Sequence, residues 1–182
     1  MSVAADGAAG ASLRAIVTRA RISRGLVGYH FGTQASLLAA AFERLCDGYR
    51  SMLGMVPGER PEAKTDAETQ LQTAIRRSFE WPAHFRERQY AWFGFWALAR
   101  TDPALTHTNR NMYDEVVQHL GKLVAAAGAQ RGRIIDEQAA GHELFATIDG
   151  AWLHLTIGVE GFTADDAIAT CRRCADRLLE RD

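Results

Sequence analysis

The chain has 182 residues, a formal net charge of −1, 47% hydrophobic and 24% charged residues, as in an ordinary globular protein of one or two domains. No apolar run approaches the roughly 20 residues of a membrane span, and no basic segment followed by an apolar core opens the chain as a secretory signal would. Three cysteines, an odd number, argue against a disulfide framework and fit the reducing cytoplasm.

Apolar residues recur at spacings of three and four almost throughout, so the expectation is an all-α protein. Ser12 caps a first helix with Leu13, Ile16 and Val17 on one face. Ala20-Arg21-Ile22-Ser23 forms a tight turn, and Ser23 caps a second helix with Leu26 and Phe31 facing inward. Gly32 stops that helix, and Thr33 starts a longer one through Leu37, Leu38, Phe42, Leu45 and Tyr49. Pro57-Gly58 to Pro61 breaks it. Thr65 with Glu68 forms a capping box before a helix through Leu71, Ile75 and Phe79, and Pro82 bends or restarts the chain. Asp102-Pro103 starts another helix, and residues 128–132 read as a linker. A long helix runs from Ile134 to about Gly158. Thr163 with Asp166 caps a last helix ending at Leu179. The plan is an N-terminal helix-turn-helix headpiece in residues 1–48 and a helical ligand-binding and dimerisation bundle in residues 49–182.

Charge is unevenly spread. Residues 1–44 hold Arg14, Arg19, Arg21, Arg24 and Arg44 against Asp6 and Glu43, a balance of +3, which leaves −4 for the remainder. A basic lobe on an acidic body suggests that the lobe meets nucleic acid. The second helix of the lobe is intrinsically weak, since Gly25 and Gly28 each cost about 1 kcal/mol relative to alanine. Close approach of its backbone to a groove wall would account for that. Arg24 suits a bidentate contact to guanine, while Ser23, Tyr29 and His30 suit phosphate contacts. A helical hairpin in an ordinary bundle is the competing reading.

These residues carry a resemblance. The stretch SLRAIVTRARISRGLVGYHFGTQASLLAAAF resembles the DNA-binding headpiece of the TetR family of bacterial transcriptional repressors, through Ser12, Ile16, Ile22-Ser23, Tyr29-His30-Phe31-Gly32 and Leu37-Leu38. Trp92-Phe93-Gly94-Phe95-Trp96 followed by Asp102-Pro103-Ala104-Leu105 resembles the ligand domain of that family's choline-responsive BetI branch. The resemblance implies a homodimer on palindromic double-stranded operator DNA, released by a small-molecule effector. It places Ser12, Ser23, Arg24, Gly25, Gly28, Tyr29, His30 and Gln34 at the DNA and Leu13, Ile16, Ile22, Leu26 and Phe31 in the headpiece core.

Three departures stand out. Arg21 replaces the family's usual turn glycine and is strained if its φ is positive. Gln34 replaces a phosphate-binding lysine. The family places a full helix before the one at Ser12, whereas Met1 to Asp6 resembles only its last turn. A mis-assigned start, a shortened chain or a weakened headpiece is therefore expected, with Leu13, Ile16 and Leu26 losing part of their cover.

The chain has 16 aromatic residues, and Phe79, Trp81, Phe85, Tyr90, Trp92, Phe93, Phe95 and Trp96 crowd into one short stretch. Some of these rings pack a core and others could line an apolar pocket. Trp81, Trp92, Phe93 and Trp96 are the candidates, with Asp149 and Trp152 on the long helix supplying a carboxylate and a ring suited to a cation. No cofactor is implied. Cys171 and Cys174 form a C-x-x-C on a helix with no second ligand pair, so no metal is expected. Paired catalytic groups, phosphate loops and nucleophile elbows are absent. The expected function is a ligand-responsive DNA-binding regulator, a repressor released from its operator by a small molecule, acting in the cytoplasm and not an enzyme. The rivals are a TetR-like ligand-binding dimer with impaired DNA binding and, more remotely, a small helical enzyme.

Overall fold

The structure is a computed structural model and describes residues 2–55, 66–80 and 85–180, leaving out the side chains of residues 85 and 86. All regular structure among these residues is helical, as expected: α1 (Ser2–Asp6), a 3-10 turn (Gly7–Ala11), α2 (Leu13–Ala20), α3 (Arg24–Phe31), α4 (Gln34–Met52), α5 (Ala67–Arg77), α6 (Phe85–Ala99), α7 (Pro103–Gln130), α8 (Glu137–Ile157) and α9 (Ala164–Glu180). Among the described residues no helix is long and apolar enough to cross a membrane.

Local chemistry explains most boundaries. The Ser12 hydroxyl accepts from the Ala15 amide at 3.3 Å and the Ser23 hydroxyl from the Leu26 amide at 3.2 Å, each satisfying an amide that the first turn leaves open. Thr33 receives the Ser36 amide at 3.0 Å. Gly32 ends α3 at φ 71°. Asp102 accepts from the Ala104 and Leu105 amides at the start of α7. Thr163 and Asp166 form the reciprocal capping box of α9.

Three boundaries differ from expectation. Asp66, not a Thr65–Glu68 box, caps α5, accepting from the Thr69 amide at 2.9 Å; Thr65 lies outside the described residues, as do residues 56–64 and Pro82. Residues 128–132 are not a linker, because α7 continues to Gln130. Gly128 is buried there, and a Cβ on it would strike the Ile135 side chain folding back over the helix. The reversal falls later, at Gly132 with φ 73°. The next helix is capped by Asp136 and begins at Glu137, leaving Ile134 fully exposed.

The chain forms two compact units. The first comprises residues 1–48 and 83–112, the second residues 49–82 and 113–182. In the first, Val3 of α1 is buried where Gly94 of α6 leaves no side chain, and a Cβ there would collide with it. Phe42 packs against Trp92 edge to face and stacks on Phe95 at 4.8 Å between ring centres. In the second, α8 packs along α9, which also meets α5. α7 and α8 touch backbone to backbone. A Cβ on Gly121 would run into the Glu137 carbonyl, and one on Gly141 into that of Val117. Ordinary side chains hold helices about 8–10 Å apart, so both glycines are needed for this approach.

Candidate DNA-binding and effector sites

The headpiece presents α3 outward. Arg24, Gly25, Gly28 and His30 are exposed, and Tyr29 is 85% exposed. Nothing among the described residues explains the two glycines. A Cβ on Gly28 would meet no atom within 4 Å, and one on Gly25 only the Ser23 hydroxyl at 3.8 Å. The turn behaves as its departure from the family pattern implies, with Arg21 left-handed at φ 56°, a conformation that costs a side-chain-bearing residue roughly 1–2 kcal/mol.

The headpiece core differs from expectation. Leu13 and Ile16 are partly buried, but Ile22, Leu26 and Phe31 are 38%, 44% and 39% exposed. The residue that α3 buries is Val27, at 3%. The reason is that α2 is its principal helical neighbour, and one neighbour covers one edge of a helix. Asp6 pairs with Arg19 at 2.7 Å, tying α1 to α2. Gln34 is engaged within the headpiece at both ends of its amide: Oε1 accepts from the Leu13 amide at 3.2 Å, and Nε2 donates to the Ala11 carbonyl at 3.0 Å. It braces the start of α2, a role that its place in the sequence did not suggest.

The ring-bearing candidates divide between the two units. Trp92, Phe93 and Trp96 belong to the first. Trp92 is 1% exposed and in the core, Phe93 meets Trp96 edge to face at 5.1 Å, and Trp96 donates its indole N–H to Asn109 at 3.0 Å. Asp149 and Trp152 belong to the second unit. Trp81 lies outside the described residues.

Around Asp149 the second unit assembles what the sequence did not make evident. Phe145, Asp149 and Trp152 share one face of α8 by their spacing of four and three. Tyr113 of α7 donates its hydroxyl to the Asp149 carboxylate and packs on Phe145 at 4.8 Å. Tyr49 stacks on Phe145 at 6.3 Å and meets Trp152 edge to face at 5.5 Å. The Trp152 indole N–H is fastened to the Ser78 carbonyl at 2.9 Å. The i, i+3, i+4 pattern on α8 was a legible signal for Phe145; nothing in the sequence marked Tyr49 or Tyr113.

The electrostatics follow from burial. Asp149 is raised from the ordinary carboxylate value to about 6, first because it is withdrawn from water, with the Tyr113 hydrogen bond opposing. Tyr113 is pushed well above the usual phenol value by burial and then by the neighbouring carboxylate. Tyr49 rises for the same two reasons, burial leading. No cationic side chain pairs with Asp149 among the described residues. Cys171 and Cys174 are fully buried free thiols, and burial raises Cys171 to about 12, which leaves it unreactive. Among the described residues no group of three or more His, Cys, Asp or Glu could hold a metal ion.

An all-helical chain with an outward-facing second helix of a helix-turn-helix, followed by a helical body, defines a transcriptional regulator of the TetR type. The sequence pattern of the BetI-type transcriptional repressor C-terminal family matches residues 67–180, and the chain belongs to that family. It is thus a DNA-binding transcriptional regulator of the ligand-responsive kind. It is similar to the HTH-type transcriptional regulator BetI of Paraburkholderia xenovorans, 26% identical over 183 residues, covering 98% of this chain and 88% of the relative. Among solved structures it resembles a TetR-family regulator from Rhodococcus (TM-score 0.82, 20% identity, 98% and 93% of the two chains). It also resembles a transcriptional regulator from Saccharomonospora viridis in complex with choline (TM-score 0.79, 19% identity, 96% and 89%). These relatives are transcriptional regulators rather than enzymes.

Proposed function

We propose that the protein is a homodimeric cytoplasmic repressor, without enzymatic activity, whose second unit binds a small organic cation and whose α3 enters the major groove of operator DNA. The observation that carries the effector reading is Asp149: a part-buried carboxylate among the rings of Tyr49, Tyr113, Phe145 and Trp152, with no cation beside it among the described residues. A quaternary ammonium would supply the missing charge and lie on ring faces that attract it. The choline complex of the S. viridis relative supports that chemical class. Residues 1–48 act as the DNA-binding headpiece and residues 49–182 as the effector and dimerisation region. Exposed Leu153, Ile157 and Val159 at the end of α8 support a dimer through α8 and α9, which would present two α3 helices to two half-sites.

For the headpiece, Ser12, Ser23, Tyr29 and His30 contact phosphates and Arg24 reads a base, with Gly25 and Gly28 allowing the close approach. Gln34 contributes through its brace on α2. A second reading, a ligand-binding dimer with a weakened DNA grip, is favoured by the exposure of Ile22, Leu26 and Phe31 and by the left-handed Arg21.

The test is a mobility shift on the DNA upstream of the protein's own gene, with choline and its neutral carbon analogue 3,3-dimethylbutan-1-ol. A shifted band released by choline and not by the neutral analogue supports the reading. Absence of a shift at low salt overturns the DNA-binding part, and equal release by both compounds overturns the cation part.

A further inference from the structure

We propose that a basic notch at the turn between α6 and α7 grips a backbone phosphate of the bound duplex, outside the helix-turn-helix; this rests on the DNA-binding reading above. Arg100, Thr101, Pro103, Thr106, His107 and Arg110 enclose about 330 Å³ there. Arg100 and Arg110 are exposed, and neither has a carboxylate partner among the described residues.

The acid nearest Arg100 in sequence, Asp102, is committed elsewhere. Its Oδ1 accepts from the Ala104 and Leu105 amides at 2.9 and 3.2 Å. The Thr106 hydroxyl turns inward to the Ala99 carbonyl and to the Asp102 carbonyl. The Nε2 of His107 meets the Asn111 amide nitrogen at 3.1 Å, leaving Nδ1 without a partner among the described residues. Two guanidinium forks therefore face solvent across one notch at the amino end of a 28-residue helix, whose dipole also favours an anion.

Residues 83–112 belong to the same compact unit as α3. They add Arg86, Arg88, Arg100 and Arg110 against Glu87 and Asp102, so the positive charge of this unit is not confined to the headpiece. The notch is open to water and offers a free anion few partners. A phosphodiester on a duplex already held by α3 arrives at high effective concentration, so modest contacts suffice. That distinction selects DNA over a dissolved phosphate ion.

The experiment uses the full chain and the duplex from upstream of its own gene, with fluorescence anisotropy over roughly 50–200 mM salt. The double variants Arg100→Ala/Arg110→Ala and Arg100→Gln/Arg110→Gln are compared with the natural protein, with circular dichroism melts confirming that both fold. One or two lost phosphate contacts make the slope of log affinity against log salt shallower by about 1–2, and weaken operator and scrambled duplex by the same factor. An unchanged slope in either folded double variant overturns the proposal while leaving the regulator reading intact. Failure of the natural protein to bind any duplex overturns both. Stabilisation of the natural protein, and not of the variants, by 10 mM inorganic phosphate would assign the notch to a free anion and overturn it as a DNA contact.

Discussion

Replacing Asp149 by asparagine separates stability from effector binding. The Asp149 carboxyl rises from 3.8 to about 6 because burial disfavours its ionised form. The folded state therefore holds this proton more tightly than the unfolded state. Folding is favoured by the full difference at low pH, and that advantage disappears as the pH rises from about 4 to 6. A shift of about two pKa units corresponds to about 3 kcal/mol, so near pH 8 the ionised carboxylate costs the fold about that much. Asparagine keeps an oxygen to accept the Tyr113 hydroxyl and carries no charge. Asp149→Asn should then be more stable than the natural protein by about 3 kcal/mol at pH 8 and by about half as much at pH 5. For a chain of this length that is a rise in Tm of about 6–12 °C at pH 8. The assay is thermal unfolding at equal protein concentration at both pH values, with calorimetric titration of choline alongside. The variant should bind choline at least about tenfold more weakly while its affinity for 3,3-dimethylbutan-1-ol is unchanged. A variant no more stable than the natural protein at pH 8, or a stability gap that does not widen from pH 5 to pH 8, would refute the reasoning.

Two further outcomes test the remaining architecture. Gly28→Ala fills open space on a helix, so it should raise stability by about 1 kcal/mol and yet weaken duplex binding, because the new methyl would stand between backbone and groove. A variant that binds DNA as tightly as the natural protein would show that Gly28 does not approach the duplex. Gly121→Ala drives a methyl into the Glu137 carbonyl, where backbone and not a flexible side chain must move. It should cost about 3 kcal/mol or more, and denaturant unfolding that shows less than 1 kcal/mol would mean that α7 and α8 separate easily.

Much of this protein was legible from local chemistry. The Ser12, Ser23, Thr33 and Thr163–Asp166 caps depend on side chains bonding amides within three residues, so sequence spacing alone predicts them. The same holds for the Gly32 stop and for an outward face bearing Arg24, Tyr29 and His30, whereas the left-handed Arg21 was only a conditional expectation drawn from the family's usual turn glycine. Periodicity established that the chain is all-α, and its short motifs pointed to the family.

What local spacing could not decide is which surfaces of those helices meet. Ile22, Leu26 and Phe31 look like core residues in sequence, but burial depends on what lies opposite, and α3 buries only Val27. Gly128 looks like a break until the Ile135 side chain is seen to need its empty space. Gln34 turns out to brace a helix that starts 21 residues earlier. Asp149 stood out as one carboxylate beside one indole on a helix face. Only folding brought Tyr49 and Tyr113 to it from two other helices, shielded it from part of its water and raised its pKa. Caps and turns are decided within a few residues of chain. A buried charge is set by everything packed around it, and that is a property of the tertiary structure.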